Sequence, residues 1–124
     1  AIEDVVIQTI KKHNAAAKID ISIMSFSLLA VSYVKRRSEC KTVQLMTDEQ
    51  SLFFPYIATP HVFAPSIKVM RENPDYVERF HRKGKKVYVW TVDDPEDQKL
   101  CASLGVDVMI TNTPGPARAT LGYS

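Results

Sequence analysis

Short apolar runs alternate along this chain with longer stretches that have helical spacing. The runs are rich in β-branched and aromatic residues and are too short for helices, which is typical of strands. They cover residues 19–26, 41–47, 87–92 and 106–111. The stretches between them predict helices over residues 2–17, 28–39, 67–70, 75–83, 95–104 and 114–121, and a long loop or short helix over residues 48–60. No hairpin turn separates the strands, so the pattern predicts the α/β class with a parallel sheet.

The clearest unit is the strand over residues 87–92 and the helix that follows it. Asp94 is a good N-cap, Pro95 suits the first helical position, and Gly105 is a typical helix end. Another apolar run begins directly after the glycine. This unit of about 25 residues predicts two parallel strands joined by a right-handed crossover.

Each predicted strand has one aliphatic face and one mixed face. An open, doubly wound sheet is covered by helices on both sides and is expected to be aliphatic on both faces. One mixed face instead favours a (βα)8 barrel, where helices cover the outside and layered side chains fill the inside. We therefore predict that the mixed faces point inward: Asp20, Ser22, Met24 and Phe26, then Thr42, Gln44 and Met46, then Tyr88 and Trp90, then Asp107, Met109 and Thr111. Four strand–helix units make about half of such a barrel.

Composition excludes several classes of protein. The net charge of the 124 residues is only +2, and no basic tract is longer than three residues, so nothing favours nucleic acid as a partner. The longest uncharged stretch, residues 21–34, is too short to span a bilayer. Cys40 and Cys101 lack metal-ligand spacing and are expected to be free thiols. The sequence gives no indication of a compartment.

Two segments near the C-terminus carry a resemblance to a known family. The strand Val89-Trp90-Thr91-Val92-Asp93, followed by the segment from Gly105 to Pro114, resembles the closing part of the glycerophosphodiester phosphodiesterase family, which typically shows V-W-T-V-N and then G-V-D-x-I-I-T-D-x-P. The strand that ends in Ser25-Phe26 resembles an earlier family strand, and the match covers roughly residues 19 to 118. Two departures are visible, since Asp93 stands where Asn is usual and Asn112 where Asp is usual. The resemblance implies that residues 1–124 are a single domain or fragment, the C-terminal half of a TIM (βα)8 barrel.

The resemblance also implies a reaction, the hydrolysis of a glycerophosphodiester derived from a phospholipid. Such a site needs a divalent cation, Mg²⁺ or Ca²⁺, and acid–base groups. In the family these come from motifs such as His-Arg-Gly and Glu-x-Asp on the first four strands, and none of these motifs occurs in this sequence. We therefore predict no catalytic residue and no metal ligand in this chain, expect it to be inactive alone, and expect a missing N-terminal half-barrel or a second copy of the chain as its partner.

Substrate-binding residues are expected at the C-terminal ends of the strands, where barrel enzymes place their active sites. By resemblance, Trp90 is expected to pack against the glycerol or alcohol moiety, and Phe26 follows the same reasoning. Ser25, Thr111 and Asn112 occupy strand ends as well and complete the predicted substrate-binding set. Structural roles are expected for His61 and His81 and for the carboxylates between Asp93 and Asp97.

Two other functions stay open. The chain is a candidate for a non-catalytic half-barrel that dimerises edge to edge, because its two outer strands would otherwise be unpaired. It is also a candidate for an open-sheet binding module that holds a phosphate at the helix starts of Pro95 and Pro114. An open sheet would bury both Tyr88 and Met109 under helices.

Overall fold

A computed structural model describes residues 2–13, 21–57 and 59–122. Within these residues, five parallel strands form one sheet whose order follows the chain. The strands are β1 (Ser22–Ser25), β2 (Lys41–Leu45), β3 (Val62–Ala64), β4 (Lys86–Val89) and β5 (Val108–Met109). Strict sequential order with helical crossovers makes this a curled half-barrel. The prediction of a half-barrel is confirmed, and the open-sheet alternative is wrong.

Seven helices of the described residues connect and flank the strands. They are α1 (Ile2–Lys12), α2 (Leu28–Arg37), α3 (Gln50–Ile57), α4 (Ile67–Glu72), α5 (Tyr76–Arg82), α6 (Pro95–Leu104) and α7 (Pro114–Thr120). The bounds of α6 are those that the sequence predicts, because the Asp94 carboxylate accepts from the Glu96 N–H at 2.8 Å and Gly105 takes the left-handed conformation, with φ 79°. The expected end of the first helix at Ala17 and the expected start of the first strand at Ile19 lie outside the described residues.

The structure adds one strand, β3, to the four that the sequence predicts. The short helix α3, with Pro55 inside it, lies within residues 48–60, where a long loop or short helix is expected. Ser66 is the N-cap residue of α4, a position where serine commonly caps with its hydroxyl, but its side chain makes no cap hydrogen bond. Its hydroxyl instead donates to the Asp48 carboxylate, which follows β2. A long-range partner thus replaces the local cap.

The sheet has one face under helices and one open face. The helix-covered face is part of the main core, which contains Phe63, Val87 and Val89 from the strands together with Met70, Val77, Phe80 and Cys101 from the helices. The open face carries a smaller cluster built from strand residues and their C-terminal extensions: Val43, Val62, Ala64 and Tyr88, flanked by Leu45, Trp90 and Ile110. In a complete barrel this open face would be the interior.

The prediction that mixed faces point inward is right for two strands and wrong for two. Tyr88 of β4 and Trp90, which directly follows that strand, lie on the open face, and so does Met24 of β1, which pairs with Val43. Met46 and Met109, however, pack in the helix-covered core. In β2 the side chains of Thr42 and Gln44 are fully buried on the helix side. The Thr42 hydroxyl lies 3.0 Å from His61 Nδ1, and the Gln44 amide donates to main-chain carbonyl groups. These hydrogen bonds allow polar residues to occupy the helix-covered face of β2.

Both cysteines are buried and free, as the sequence predicts. Within the described residues, no helix combines the length and the apolar composition of a membrane span.

Candidate functional site

An aromatic corner of Phe26 and Trp90 stands at the C-terminal edge of the half-barrel. The two rings meet edge to face, with centroids 5.6 Å apart and planes at 89°. The indole N–H of Trp90 donates to the Ala64 carbonyl oxygen at 2.8 Å, which fixes the orientation of its ring. Phe26 remains 44% exposed. The corner therefore offers an accessible apolar wall where a barrel enzyme binds substrate.

The main chain of Trp90 is held as firmly as its side chain. Its N–H donates to Pro65 O at 3.3 Å, and its carbonyl oxygen accepts from Ile67 N at 2.7 Å. The peptide bond between Trp90 and Thr91 is cis. The two hydrogen bonds to Pro65 O and from Ile67 N join the end of β4 to the start of α4, and they hold the main chain that carries the indole.

Ser25 lies next to the corner but its side chain is used locally. Its hydroxyl oxygen accepts from the Ser27 N–H at 3.0 Å, and the Ser27 hydroxyl oxygen in turn accepts from Ala30 N at 3.2 Å at the start of α2. Ser25 also pairs in register with Gln44, on the helix-covered side of the sheet. The structure thus gives Ser25 a role in the turn that carries Phe26, and its role in substrate binding stays a prediction.

Thr111 and Asn112 are drawn together by the carboxylate of Asp93. The Thr111 hydroxyl donates to Asp93 Oδ1 at 2.7 Å, the Asn112 N–H donates to the same oxygen at 2.8 Å, and the Asn112 side-chain amide donates to Oδ2 at 3.0 Å. The bond from the Asn112 backbone, followed by those from the two side chains, lowers the pKa of Asp93. We call this group the Asp93 clamp; it joins the loops that follow β4 and β5.

A divalent metal does not fit the residues that the structure describes. No group of three or more His, Cys, Asp or Glu side chains comes together within residues 2–13, 21–57 and 59–122. The Asp93 carboxylate at the C-terminal edge already accepts three hydrogen bonds across its two oxygens. These residues therefore do not supply a complete ligand set for the metal that the resemblance implies.

Two histidines have structural partners away from the corner. His61 lies just before β3, at the N-terminal end of the sheet, and its Nδ1 accepts from the Thr42 N–H at 3.0 Å. His81 Nε2 lies 2.7 Å from Asp107 Oδ2, and that oxygen also accepts from Val87 N at 2.8 Å. These contacts agree with the structural roles expected for both.

Sequence reasoning missed a polar pair at the same edge. Asp48 and Ser66 follow β2 and β3, and they are hydrogen-bonded to each other, with Lys68 Nζ 3.7 Å from Asp48 Oδ2. It also missed Gln44, which binds main-chain carbonyls at Ser25 and Phe26, and Gln98, which binds carbonyls of the loop after β4. The strand register could have placed Gln44 near Ser25, but nothing in the sequence identifies a carbonyl as its partner.

A cleft of about 500 Å³ also opens among α3, α4 and α5. It lies over the helix-covered side and is lined by residues of both charges, including Asp48, Glu72, Arg79 and Lys83. Neither Phe26 nor Trp90 lines it. The corner, rather than this cleft, therefore matches the expected position of a barrel active site.

Comparison with families and known proteins points in one direction. A model described as the glycerophosphoryl diester phosphodiesterase family matches residues 1–116. The probable glycerophosphodiester phosphodiesterase 1 of Mycobacterium tuberculosis is 31% identical over 102 residues, which are 80% of this chain and 37% of that protein. The glycerophosphodiester phosphodiesterase of Caldanaerobacter subterraneus subsp. tengcongensis is 30% identical over 115 residues, which are 91% of this chain and 46% of that protein.

Solved structures show the same fold and the same partial coverage. A glycerophosphodiester phosphodiesterase from Parabacteroides distasonis superposes with a TM-score of 0.81 at 23% identity, covering 97% of this chain and 50% of that one. A putative glycerophosphoryl diester phosphodiesterase from Silicibacter pomeroyi gives a TM-score of 0.78 at 20% identity, covering 98% of this chain and 45% of that one. The chain thus spans half the length or less of these proteins.

Proposed function

The chain belongs to the glycerophosphoryl diester phosphodiesterase family, and on that premise we propose that it forms the substrate-binding half of a hydrolase acting on diesters derived from glycerophospholipids. The proposal rests mainly on the aromatic corner, where the ring centroids of Phe26 and Trp90 are 5.6 Å apart. These are the two residues that the resemblance assigns to the pocket wall. An apolar wall suits the carbon skeleton of a glycerol or alcohol moiety, while the phosphodiester needs polar groups from elsewhere.

The chemistry itself is proposed to lie on a complementary N-terminal half-barrel. A phosphodiester carries a negative charge that repels nucleophiles, so a divalent cation and a proton donor are required. The described residues hold no cluster that could bind such a cation. Partial coverage of every relative compared above supports the proposal that Mg²⁺ or Ca²⁺ binds to that other half. This chain alone is accordingly proposed to be inactive with either ion.

The test compares two exposed phenylalanines in a protein of the relatives' full length. Phe26→Ala removes the corner ring, which is 44% exposed and meets Trp90 edge to face. Phe53→Ala removes a ring that is 50% exposed and meets Phe54 in the same way on α3, away from the corner. With glycerophosphocholine as substrate, Phe26→Ala is expected to lower kcat/KM about tenfold, equivalent to about 1.4 kcal/mol.

Phe53→Ala is expected to leave kcat/KM near the parent value. Equal kcat/KM for the two variants would refute the proposal that Phe26 forms part of the substrate-binding wall. A full-length protein that releases no glycerol phosphate with Mg²⁺ or Ca²⁺ would refute the proposed reaction as a whole.

The second candidate, a non-catalytic half-barrel that dimerises edge to edge, has one observation in its favour. Met24 and Val108, on the two outer strands, are 41% and 40% exposed on the open face. Apolar side chains beside unpaired strand edges favour association. A 124-residue chain that forms a stable dimer and never binds glycerophosphodiesters would support this candidate over the hydrolase.

A further inference from the structure

Gln44 is a polar residue in an apolar position. It lies in the middle of the sheet on the helix-covered face, level with Phe63 of the core, and has no exposed surface. Its side-chain oxygen finds no hydrogen-bond partner among the described residues. Burying an amide oxygen without a partner is unfavourable, and Met would fill a similar volume without that cost. Packing alone therefore does not explain a glutamine at this position.

The amide nitrogen of Gln44 explains it. Nε2 lies 3.2 Å from Ser25 O, 3.2 Å from Phe26 O and 3.1 Å from Leu45 O. These carbonyl groups belong to the C-terminal ends of β1 and β2, where the strands give way to loops. One side chain thus ties the main chain on both sides of Phe26 to the neighbouring strand.

Phe26 has no comparable support from its own side chain. Its ring is 44% exposed and its described ring contact is with Trp90. The direction of the ring therefore depends on the main chain of the turn, which is held by the Gln44 amide and by the Ser25 and Ser27 hydroxyl groups. Loss of the Gln44 amide would free the carbonyls of Ser25 and Phe26 and let the ring turn away from Trp90.

Gln98 repeats this arrangement beneath the other loop. It is 2% exposed on α6, its Nε2 lies 3.2 Å from Val92 O and 3.3 Å from Asp93 O, and its Oε1 also lacks a partner among the described residues. Asp93 in turn holds Thr111 and Asn112 through the Asp93 clamp. A buried glutamine thus anchors the loop that carries Phe26, and another anchors the loop that follows Trp90.

We propose that Gln44 and Gln98 are positioning residues that fix the substrate wall by binding the carbonyl groups of the loops bearing Phe26 and Asp93. Neither glutamine touches substrate; each acts through the main chain of its loop. The consequence for substrate binding rests on the proposed function, whereas the consequence for the aromatic corner does not. A wall held in place before substrate arrives loses less conformational freedom on binding.

The test uses two buried residues of the same strand face. Gln44→Met removes the amide and keeps the volume, and Thr42→Val removes a hydroxyl that is equally buried at the opposite end of β2, next to His61. Both variants are expected to lose stability. Trp90 is the single tryptophan of the chain, so its near-ultraviolet circular dichroism and emission spectrum report on the corner in the folded state of each variant.

Gln44→Met is expected to weaken the tryptophan dichroism and shift the emission of Trp90 to the red, while Thr42→Val leaves both spectra unchanged. In the protein of full length, Gln44→Met is also expected to lower kcat/KM by about tenfold to a hundredfold, mainly through KM. Gln98→Met tests the second loop by the same measurements. A Gln44→Met spectrum identical to that of the parent overturns the proposal.

Two further outcomes are decided separately. If the full-length parent has no activity, the proposed function fails, and the spectra still decide whether Gln44 positions the corner. If Gln44→Met does not fold, proton exchange in the parent decides instead. The side-chain amide protons of Gln44 are expected to exchange far more slowly than those of the exposed Gln8, and equal rates overturn the proposal.

Discussion

The Asp93 clamp accounts for both departures from the family pattern at the level of single residues. Family members typically have Asn at the first position and Asp at the second, whereas this chain has Asp93 and Asn112. In the structure the Asn112 amide donates to the Asp93 carboxylate at 3.0 Å. An exchange of the two residue types keeps one donor opposite one acceptor, so the two departures are best understood as a single, coupled change.

Changing either residue alone is expected to weaken the Asp93 clamp. Asp93→Asn replaces the charged acceptor with a neutral amide, so its hydrogen bonds to Thr111 and Asn112 become weaker. Asn112→Asp places a carboxylate opposite a carboxylate, and the two repel each other. Each single variant is expected to lower Tm, and the double variant D93N/N112D is expected to recover most of the loss with donor and acceptor exchanged. Thermal unfolding of the four proteins measures the coupling.

Asp94→Asn is the matched control for this cycle, because asparagine caps a helix about as well as aspartate. It is expected to leave Tm almost unchanged. Simple additivity of the two single effects in D93N/N112D would show that the side chains are not coupled.

At the scale of elements, local chemistry decided what could be predicted from sequence. The helix α6 begins and ends where its cap, its proline and its glycine predict, because all three act within the helix itself. β3 has only three residues. That is too few for the alternation of apolar and polar side chains to identify a strand. The faces of β2 were assigned wrongly because His61, Ser25 and Phe26, which bind the side chains of Thr42 and Gln44, lie 18 or 19 residues away in sequence.

The same limit applies to the candidate site. A single rule, that pocket residues follow the C-terminal ends of strands, brought out Phe26 and Trp90, which the structure places in contact. Their role in binding stays a prediction. Gln44 and Gln98 could not be found in this way. A hydrogen bond from a glutamine side chain to a main-chain carbonyl depends on the path of the loop, and every residue type has that carbonyl, so the sequence does not identify the partner.

The junction of β2 and β3 is expected to weaken in mild acid. Burial, and then the charges of Lys35, Lys85 and Lys41, lower the pKa of His61 from its ordinary value of 6.5. The neutral ring is also the form that accepts from the Thr42 N–H at 3.0 Å. As the pH falls, His61 of the unfolded chain therefore takes up a proton before His61 of the folded chain does. The contribution of His61 to the free energy of unfolding is complete above about pH 6.5, and it is lost as the pH falls from there toward the lower pKa of the folded state.

Urea unfolding at about pH 7.5 and about pH 5.5 measures this loss. His61→Asn keeps an acceptor near the position of Nδ1 but does not titrate, so it is expected to reduce the difference between the two midpoints. His13→Asn, at the exposed end of α1, serves as the control and is expected to keep the parent difference. An unchanged pH dependence in His61→Asn would assign the effect to other groups.

At the scale of the whole molecule, the open face and the two outer strands govern behaviour in solution. The chain covers 37% and 46% of the two relatives and about half of the solved structures, and its five strands form one side of a barrel. Met24 and Val108 remain 41% and 40% exposed on that side. In a closed barrel the same side chains would be interior, so their exposure is a property of the half rather than of the fold.

The 124-residue chain is therefore expected to self-associate through this face. Light scattering should give a molar mass above the 14.0 kDa of one chain, and the dye ANS should bind to the open face. Met24→Ser is expected to reduce both effects, whereas Leu29→Ser, which changes a residue 82% exposed on α2, is expected to reduce neither.

A protein of the relatives' length should scatter as a monomer and bind little ANS, because the second half-barrel covers the face and pairs both edges. If the 124-residue chain instead has the molar mass of a 14.0 kDa monomer and does not bind ANS, the half-barrel is stable alone and needs no partner.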